Sequence, residues 1–412
     1  MTISQRGRHS AGRVLLTGGR APAALELARQ LHAAGYAVVA AESAPYHLCR
    51  ASRAIERSIA VPAPTRDRAG FIAALQDAVR SWDIDTVLPT CEETFHVARD
   101  AERLAERCRV LTAPFALLAQ LHHKGEFIRL AERCGLPVPY TATLERPDAW
   151  QRLRTDPRYA DGLVLKPAYS RFAASVIRIA PGPLHASGVL RIERQIAAAG
   201  ASPARPWVAQ ELLQGQEWCT YSAAWKGRLT AHAAYRSRFR AGRGASIHFA
   251  AEAQPRLAEW VERFVGAIRY TGQIAFDFIV LPDGRPRPLE CNPRATSGVH
   301  LFGPRDRLAE ALLTPERLLH SGERAEPAPG GRGAMVSAAM LSYGLAQALR
   351  ERQLMSWLHA WRAGRDVVYR RGDRRPALEQ LRLLAWTRRL ARRRGLTLLE
   401  ASTLDIEWNG EP

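Results

Sequence analysis

The chain has 412 residues, of which 47% are hydrophobic and 24% charged. This length predicts two to three domains, and the composition excludes a disordered or fibrous chain. No run of about eighteen apolar residues exists, and no apolar segment follows the positive charges of the N-terminus, so neither a transmembrane helix nor a secretory signal is predicted. The six cysteines include no C-x-x-C pair, which indicates reduced thiols. We expect a soluble, cytoplasmic protein without a membrane partner.

The formal net charge is +19, yet it does not predict nucleic-acid binding. Only three of the 59 basic residues are lysine, and the arginines are spread along the whole chain, which is more typical of codon bias than of a binding stripe. No specific nucleic-acid partner is therefore expected. Because an ammonium differs from a guanidinium in reach and hydration, Lys124 and Lys166 are candidates for places where arginine does not fit. Lys226 precedes Gly227 and is expected in a hairpin turn.

Strand and helix patterns alternate over the first 120 residues, which predicts a doubly wound parallel sheet. The turn after the first strand lacks G-x-G-x-x-G, so dinucleotide binding is not predicted. Glu92 follows a strand's carboxyl end, where ligands collect in such sheets, and is a candidate substrate residue. Strands are predicted at 13–17, 37–41, 58–61, 86–88 and 110–112, with helices from 20 to about 34, at 67–81 and at 92–107.

A helix at about 124–134, ending at Gly135, is followed by a strand-rich pattern that predicts an antiparallel α+β region. Residues 322–333 are rich in proline and glycine and are predicted to be a linker. The mainly helical remainder, 331–412, has 15 arginines against 8 acids. The strands of the α+β region are predicted at 163–168, 175–179, 207–213, 217–225, 228–239, 247–251, 273–281 and 287–291, and its helices at 185–199, 254–269 and 306–320.

The most informative segment is a predicted β-hairpin around Asp283-Gly284, a dipeptide typical of two-residue loops. Such a loop makes paired positions sum to 567, which places Asp277 opposite Glu290. Asn292 lies on the same face as Glu290 because side chains alternate along a strand. The opposite, apolar face is expected to carry Phe276, Phe278 and Leu289.

Two acids directly opposed across a hairpin repel each other, so a cation is expected between them. Carboxylate and amide oxygens suit Mg²⁺ held together with phosphate oxygens. The alternative is an exposed hairpin whose acids are neutralised by Arg285 or Arg287. The apolar opposite face, Asn292 and the two lysines favour the metal site.

With these residues in place, the chain resembles the ATP-grasp superfamily, especially its carbamoyl-phosphate-synthase-like branch, over about residues 10–320. In that family an acid, a glutamate thirteen residues further on and the motif E-x-N-P-R hold the magnesium ions that bridge the ATP phosphates. Asp277, Glu290 and Asn292 match this pattern, since 290 − 277 = 13. The resemblance also implies that Arg294 contacts phosphate or the acyl-phosphate intermediate.

The resemblance assigns further ATP-binding roles. Lys124 and Lys166 would reach the phosphates, and Lys166 and Arg294 would be the catalytic cations. Glu217 would bind the ribose hydroxyls. The family's flexible loop is usually glycine-rich, but here residues 168–175 contain no glycine, so Ser170, Arg171 or Ser175 is expected to contact phosphate instead. The adenine-binding hinge would comprise Gln210, Glu211, Leu212 and Leu213.

The implied architecture is an α/β ATP-grasp fold in three parts. A Rossmann-like, doubly wound parallel-sheet domain (pre-ATP-grasp) would span 1–120. A two-lobed ATP-grasp domain would span 121–328, with its small lobe at about 140–212 and its large lobe at about 213–328. A small, basic, mainly helical domain would span 329–412.

The implied activity is that of a ligase that uses ATP and Mg²⁺ or Mn²⁺, with two ions expected. It would phosphorylate a carboxylate and join it to an amine or thiol, releasing ADP and phosphate. Two alternatives are a carbamoyl-phosphate-type activation of bicarbonate and a non-catalytic, basic nucleotide-binding scaffold. An oligomer is compatible with the sequence. The candidate substrate residues are Arg236, Arg238, His248, His300 and Glu92.

Overall fold

The computed structural model describes residues 11–144, 146, 148–169, 176–203, 205–241 and 245–411. Its N-terminal region contains the predicted parallel sheet, with five strands in the order β3-β2-β1-β4-β5. Within the described ranges, no helix is both long and apolar enough to span a membrane. The elements are β1 (Arg13–Thr17), α1 (Pro22–Ala33), β2 (Ala37–Glu42), β3 (Arg57–Ala60), α2 (Arg68–Ser81), β4 (Thr86–Leu88), α3 (Thr94–Arg99), α4 (Ala101–Ala105), β5 (Arg109–Val110), α5 (Phe115–His122) and α6 (Lys124–Arg133).

Two predicted helices are each divided in the structure. The helix expected at 92–107 is interrupted at Asp100, between α3 and α4. The helix expected at 306–320 breaks at Thr314, because the proline that follows disfavours helical backbone at the preceding residue.

A four-stranded antiparallel sheet follows, in the order β6-β9-β7-β8. Its edge strand β6 was not predicted, since the short segment Thr-Ala-Thr-Leu has no run of apolar residues. The strand predicted at 175–179 is observed from Ile177, and Ser175 lies outside the described residues. The elements are β6 (Thr141–Leu144), α7 (Trp150–Leu153), β7 (Leu163–Pro167), β8 (Ile177–Ile179), α8 (Ala186–Ala198) and β9 (Trp207–Glu211).

A second four-stranded antiparallel sheet has the order β11-β10-β13-β14. One face packs on α9, whose buried Leu257, Trp260, Val261 and Phe264 follow a helical period. The Trp260 ring meets that of Phe278 edge-on, with 5.1 Å between centroids. The opposite face carries Glu217, Cys219 and Asp277, which line the cavity, and it also packs through Tyr221 and Ala223 into a second core cluster. The elements are β10 (Gln216–Trp225), β11 (Arg228–Arg236), β12 (His248–Phe249), α9 (Pro255–Ala267), β13 (Gly272–Val280), β14 (Pro286–Asn292), α10 (Leu308–Leu313) and α11 (Pro315–His320).

The β13–β14 hairpin differs from its prediction in two places. Its loop has three residues rather than two, because Leu281 N donates to Arg285 O at 3.0 Å and Gly284 takes a left-handed φ of +80°. A β-bulge at Leu289 then adds one residue to β14. The two irregularities cancel, so Asp277 still pairs with Glu290. Leu289, predicted on the apolar face, instead lines the cavity.

The C-terminal region is mainly helical, as predicted, and also adds two short strands to β12 in the order β12-β15-β16. It packs against the N-terminal sheet region through buried ion pairs. Arg20 binds Asp405 at 2.6 Å, and Arg365 and Arg370 both contact the buried Glu26. The elements are β15 (Ala334–Met335), α12 (Ser337–Ala339), a π-helical turn (Met340–Gly344), α13 (Leu345–Arg350), α14 (Leu354–Ala363), β16 (Arg365–Asp366), α15 (Arg375–Arg394) and α16 (Leu398–Thr403).

Candidate active site

A cavity of about 460 Å³ lies between the two antiparallel sheets. Most of the residues that the sequence singled out line it. Ser170 and Ser175 lie outside the described residues, so their phosphate contact stays a prediction. The predicted residues in the lining are Lys124, Lys166, Gln210, Glu211, Leu212, Leu213, Glu217, Asp277, Glu290, Asn292 and Arg294.

The two acids of the hairpin form one row of side chains across three strands with Cys219. Asp277 pairs with Glu290 on β14 and with Cys219 on β10. Burial and then the negative charge of Glu290 raise the pKa of Asp277. Burial also disfavours the ionised form of Glu290, but the positive charges of Lys124 and Lys166 outweigh the effect of burial and lower the pKa of Glu290. The pair therefore holds one proton, on Asp277, over a wide pH range.

Lys124 and Lys166 approach the acids from different elements. Lys124 is the first residue of α6, whose N-terminus is capped by His123, and its Nζ lies 3.3 Å from Glu290 Oε2. Lys166, on β7, donates at 3.0 Å to both Gln210 Oε1 and the carbonyl oxygen of the bulged Leu289. Burial lowers the pKa of Lys166 to about 8. Both ammonium groups are almost fully buried.

Arg294 follows the acid pair and crosses to the N-terminal sheet region. Its Nε lies 2.8 Å from Glu92 Oε1, and its Nη2 donates to Asn292 Oδ1 at 3.2 Å. Glu92 comes from the loop after β4 and is 1% exposed. It reaches the site through Arg294, since it is not part of the cavity lining itself.

Glu217, expected to bind ribose, is engaged by arginines. Its carboxylate contacts Arg240 at 2.5 Å and Arg178 at 3.8 Å. Part of the expected hinge is also engaged, because the N–H groups of Glu211 and Leu212 donate to neighbouring backbone carbonyls at 3.0 Å.

Besides Glu92, the other four predicted substrate residues also lie outside the cavity lining. Arg236 and Arg238 each bind Glu252 at 2.7 Å, because strand alternation and the end of β11 direct them away from it. His300 is buried against Glu26, and burial lowers the pKa of His248 to about 4. Among the described residues of the arginine run 236–243, Arg240 is the one that lines the cavity.

Several lining residues were missed in the sequence. Cys219 was interpreted as a reduced, idle thiol, yet it lies directly beside Asp277 on the neighbouring strand. Its position two residues after Glu217 in one strand was the available signal, because alternate residues share a face. Tyr235 and Phe249, which also line the cavity, meet edge-on at 5.5 Å and had no sequence signal beyond their hydrophobicity.

The donor set suits a hard divalent cation. Two opposed carboxylates, one of them protonated in the absence of an ion, and an amide oxygen on the same face are oxygen ligands of the kind that Mg²⁺ takes. In the described part of the chain, no cluster of three His, Cys, Asp or Glu side chains could hold a metal. An ion at this pair therefore needs Asn292 and oxygens from a bound molecule.

The cavity lies between two antiparallel sheets, and one of them carries the two opposed acids and the start of the E-x-N-P-R motif. This arrangement is that of the ATP-grasp fold. Comparison with solved structures shows the same fold for this chain. An L-amino acid ligase from Bacillus licheniformis has 16% identity and a TM-score of 0.55, covering 74% of this chain and 75% of its own. A biotin carboxylase from Campylobacter jejuni in complex with β,γ-ATP has 16% identity and a TM-score of 0.58, covering 74% and 70%. An N5-carboxyaminoimidazole synthetase from Staphylococcus aureus complexed with ADP has 12% identity and a TM-score of 0.57, covering 74% and 78%. No protein-family model and no curated protein matches the sequence.

Proposed function

We propose that this chain is an ATP-dependent ligase that phosphorylates a carboxylate and joins it to an amine or a thiol, releasing ADP and phosphate. The observation that carries the proposal is the Asp277–Glu290 pair, which faces a cavity beside two buried lysines and an arginine. The neighbours in fold include ligases and nucleotide complexes, which supports the same class of chemistry. We also propose that the chain is divided into the three domains expected from the sequence and that it is cytoplasmic.

Asp277, Glu290 and Asn292 would hold Mg²⁺ or Mn²⁺, with two ions expected. Bound there, the metal supplies positive charge to the phosphate oxygens. Lys124 and Lys166 lie beside the same acids, so their ammonium groups would bind the phosphates that share the site. The protein's part in phosphoryl transfer is thus to position the reactants and neutralise charge.

The nucleotide would lie with its base toward the hinge from Gln210 to Leu213 and its ribose toward Glu217. Glu217 can accept hydrogen bonds from the ribose hydroxyls only if its carboxylate releases Arg240 or binds Arg240 and the ribose at the same time. A carboxylate has two oxygens and can accept from both partners. Ser170 and Ser175 would contact phosphate from the glycine-free loop.

The chemistry proceeds in two displacements. An oxygen of the substrate carboxylate attacks the γ-phosphorus, and ADP leaves with the bridging oxygen. The nucleophile then attacks the carbonyl carbon, loses its proton, and expels phosphate that carries the former carboxylate oxygen. Arg294 would stabilise the negative charge on the transferred phosphoryl group, because its guanidinium lines the cavity next to Asn292.

The proposal is tested by ADP release with ATP, Mg²⁺ and pools of carboxylic acids, with and without amine and thiol acceptors. We expect release that requires a carboxylate and Mg²⁺ and that falls at least 100-fold in Glu290→Gln. Asp283→Asn, in the exposed hairpin turn, is the matched control and should be unaffected. ATP binding without carboxylate-dependent release would favour the nucleotide-binding scaffold, and release that requires bicarbonate would favour the carbamoyl-phosphate-type reaction.

A further inference from the structure

We propose that Glu92, from the N-terminal sheet region, is a positioning residue for Arg294, so that this region completes the active site of the ATP-grasp lobes. The inference rests on the proposed function, in which Arg294 meets the transferred phosphoryl group. It assigns a task to a buried acid that contacts Arg294 and is not itself part of the cavity lining.

Each nitrogen of the Arg294 guanidinium contacts an oxygen atom. Nε faces Glu92 Oε1 at 2.8 Å, Nη1 donates to Ala295 O at 3.2 Å, and Nη2 donates to Asn292 Oδ1 at 3.2 Å. The two Nη contacts are made within the strand end that carries Arg294, whereas the Nε contact comes from another domain. Glu92 therefore sets the plane of the guanidinium relative to the acid pair.

The adjacent acid, Glu93, shows why Glu92 can act as a fixed point. Glu93 Oε1 accepts from Thr17 Oγ1 at 2.7 Å and from the N–H groups of Thr90 and Cys91 at 3.2 and 2.9 Å. These bonds tie the loop after β4 to the end of β1. Glu93 holds the loop, and Glu92, 1% exposed, points from it to Arg294.

Glu92→Gln keeps the shape and an acceptor for Nε but removes the charge. A guanidinium whose buried partner is neutral reorients toward other acceptors, and a displacement of about 1 Å at a reacting centre costs up to about 100-fold in rate. We expect kcat to fall about 10- to 100-fold, with the KM for ATP changed less than about threefold, because Lys124, Lys166 and the hinge still bind the nucleotide. Glu92→Asp retains the charge with a shorter reach and should lose less.

A double-mutant cycle separates this role from a structural one. If Glu92 acts through Arg294, Glu92→Gln will slow the Arg294→Lys enzyme far less than it slows the original enzyme, because the contact is already lost. Glu93→Gln loosens the loop that holds Glu92, so it should lower the melting temperature and slow the Arg294→Lys enzyme less than the original enzyme. Asp283→Asn, in the exposed hairpin turn, is the matched control and should not couple to Arg294→Lys. Equal slowing by Glu92→Gln in both backgrounds would overturn the proposal.

A second measurement does not depend on turnover. The side-chain Nε–H resonance of Arg294, identified in ¹⁵N spectra by its loss in Arg294→Lys, should shift and exchange faster with water in Glu92→Gln and stay unchanged in Asp283→Asn. An unchanged resonance in Glu92→Gln would overturn the positioning role. Absence of ADP release from the unsubstituted protein, with the resonance shifting as expected, would instead refute the ligase function and leave the contact established.

Discussion

Lys124 places its Nζ 3.3 Å from Oε2 of Glu290, so one member of the opposed acid pair has a buried cation beside it. This contact gives the two acids, Asp277 and Glu290, different protonation behaviour. Glu290 stays ionised, whereas the pKa of Asp277 is raised by burial and by its charged neighbour. Below a pH of about 7, Asp277 of the metal-free site therefore carries a proton, which a divalent cation would have to displace.

This division predicts an unusual pH dependence of stability for the metal-free protein. The pKa of Asp277 rises to about 7 on folding, so the folded chain binds more protons than the unfolded chain between pH about 4 and 7. Stability should consequently fall as the pH rises through that interval, by about 1–3 kcal/mol from this group. Denaturant unfolding in EDTA measures it. Asp277→Asn should remove this part of the slope, and a slope identical in the variant would contradict the assignment.

Mg²⁺ is expected to couple to nucleotide binding through the same pair. A ligand at 100 times its Kd stabilises the folded state by about 2.7 kcal/mol. Together, Mg²⁺ and ATP should raise the melting temperature of the protein clearly more than either does alone. Glu290→Gln should abolish the extra rise, whereas Asp283→Asn should keep it. An equal rise in Glu290→Gln would place the metal elsewhere.

Lys166 should not tolerate arginine. Its ammonium donates to Gln210 Oε1 and Leu289 O, both at 3.0 Å, and a longer, planar guanidinium would not reproduce both contacts from the same position. Lys166→Arg should weaken ATP binding about tenfold or more by calorimetry. Lys226→Arg, at a hairpin turn with φ of +50°, is the control and should bind normally. Unchanged affinity in Lys166→Arg would exclude a phosphate contact specific to lysine.

Glu217 should make the protein sensitive to the ribose hydroxyls. A hydrogen bond to a charged group contributes about 1.5–3 kcal/mol, so ATP should bind about tenfold or more tightly than its 2′,3′-dideoxy analogue. Glu217→Gln should reduce this preference to about threefold or less. Glu252→Gln, whose arginine contacts lie outside the cavity lining, should retain it. A preference that persists in Glu217→Gln would assign the ribose to other residues.

The sequence predicted those parts of the site that depend on contacts between residues close together in the chain. Asp277 and Glu290 were paired correctly because a hairpin is local, although the three-residue loop and the Leu289 bulge, which depend on backbone detail, were both missed and happened to cancel. The parallel sheet was predictable for the same reason, from alternating patterns within short segments.

Contacts between distant segments were not predictable. The sequence analysis named Arg236 and Arg238 as candidate substrate residues, but both contact Glu252. Only the packing of the folded chain shows that Arg240 contacts Glu217. Likewise, the Arg294–Glu92 contact joins residues far apart in the chain. No periodicity or motif in a single sequence encodes such a pair.

The most direct test of the account follows oxygen rather than ADP. With a carboxylate substrate labelled with ¹⁸O in its carboxyl group, we expect one labelled oxygen per turnover in the released phosphate. The carboxylate oxygen attacks the γ-phosphorus, and the nucleophile later expels phosphate that carries this oxygen. Mass spectrometry of the phosphate measures it. Turnover that releases unlabelled phosphate would mean that water, not the carboxylate, attacks ATP, and would contradict an acyl-phosphate ligase built on Asp277 and Glu290.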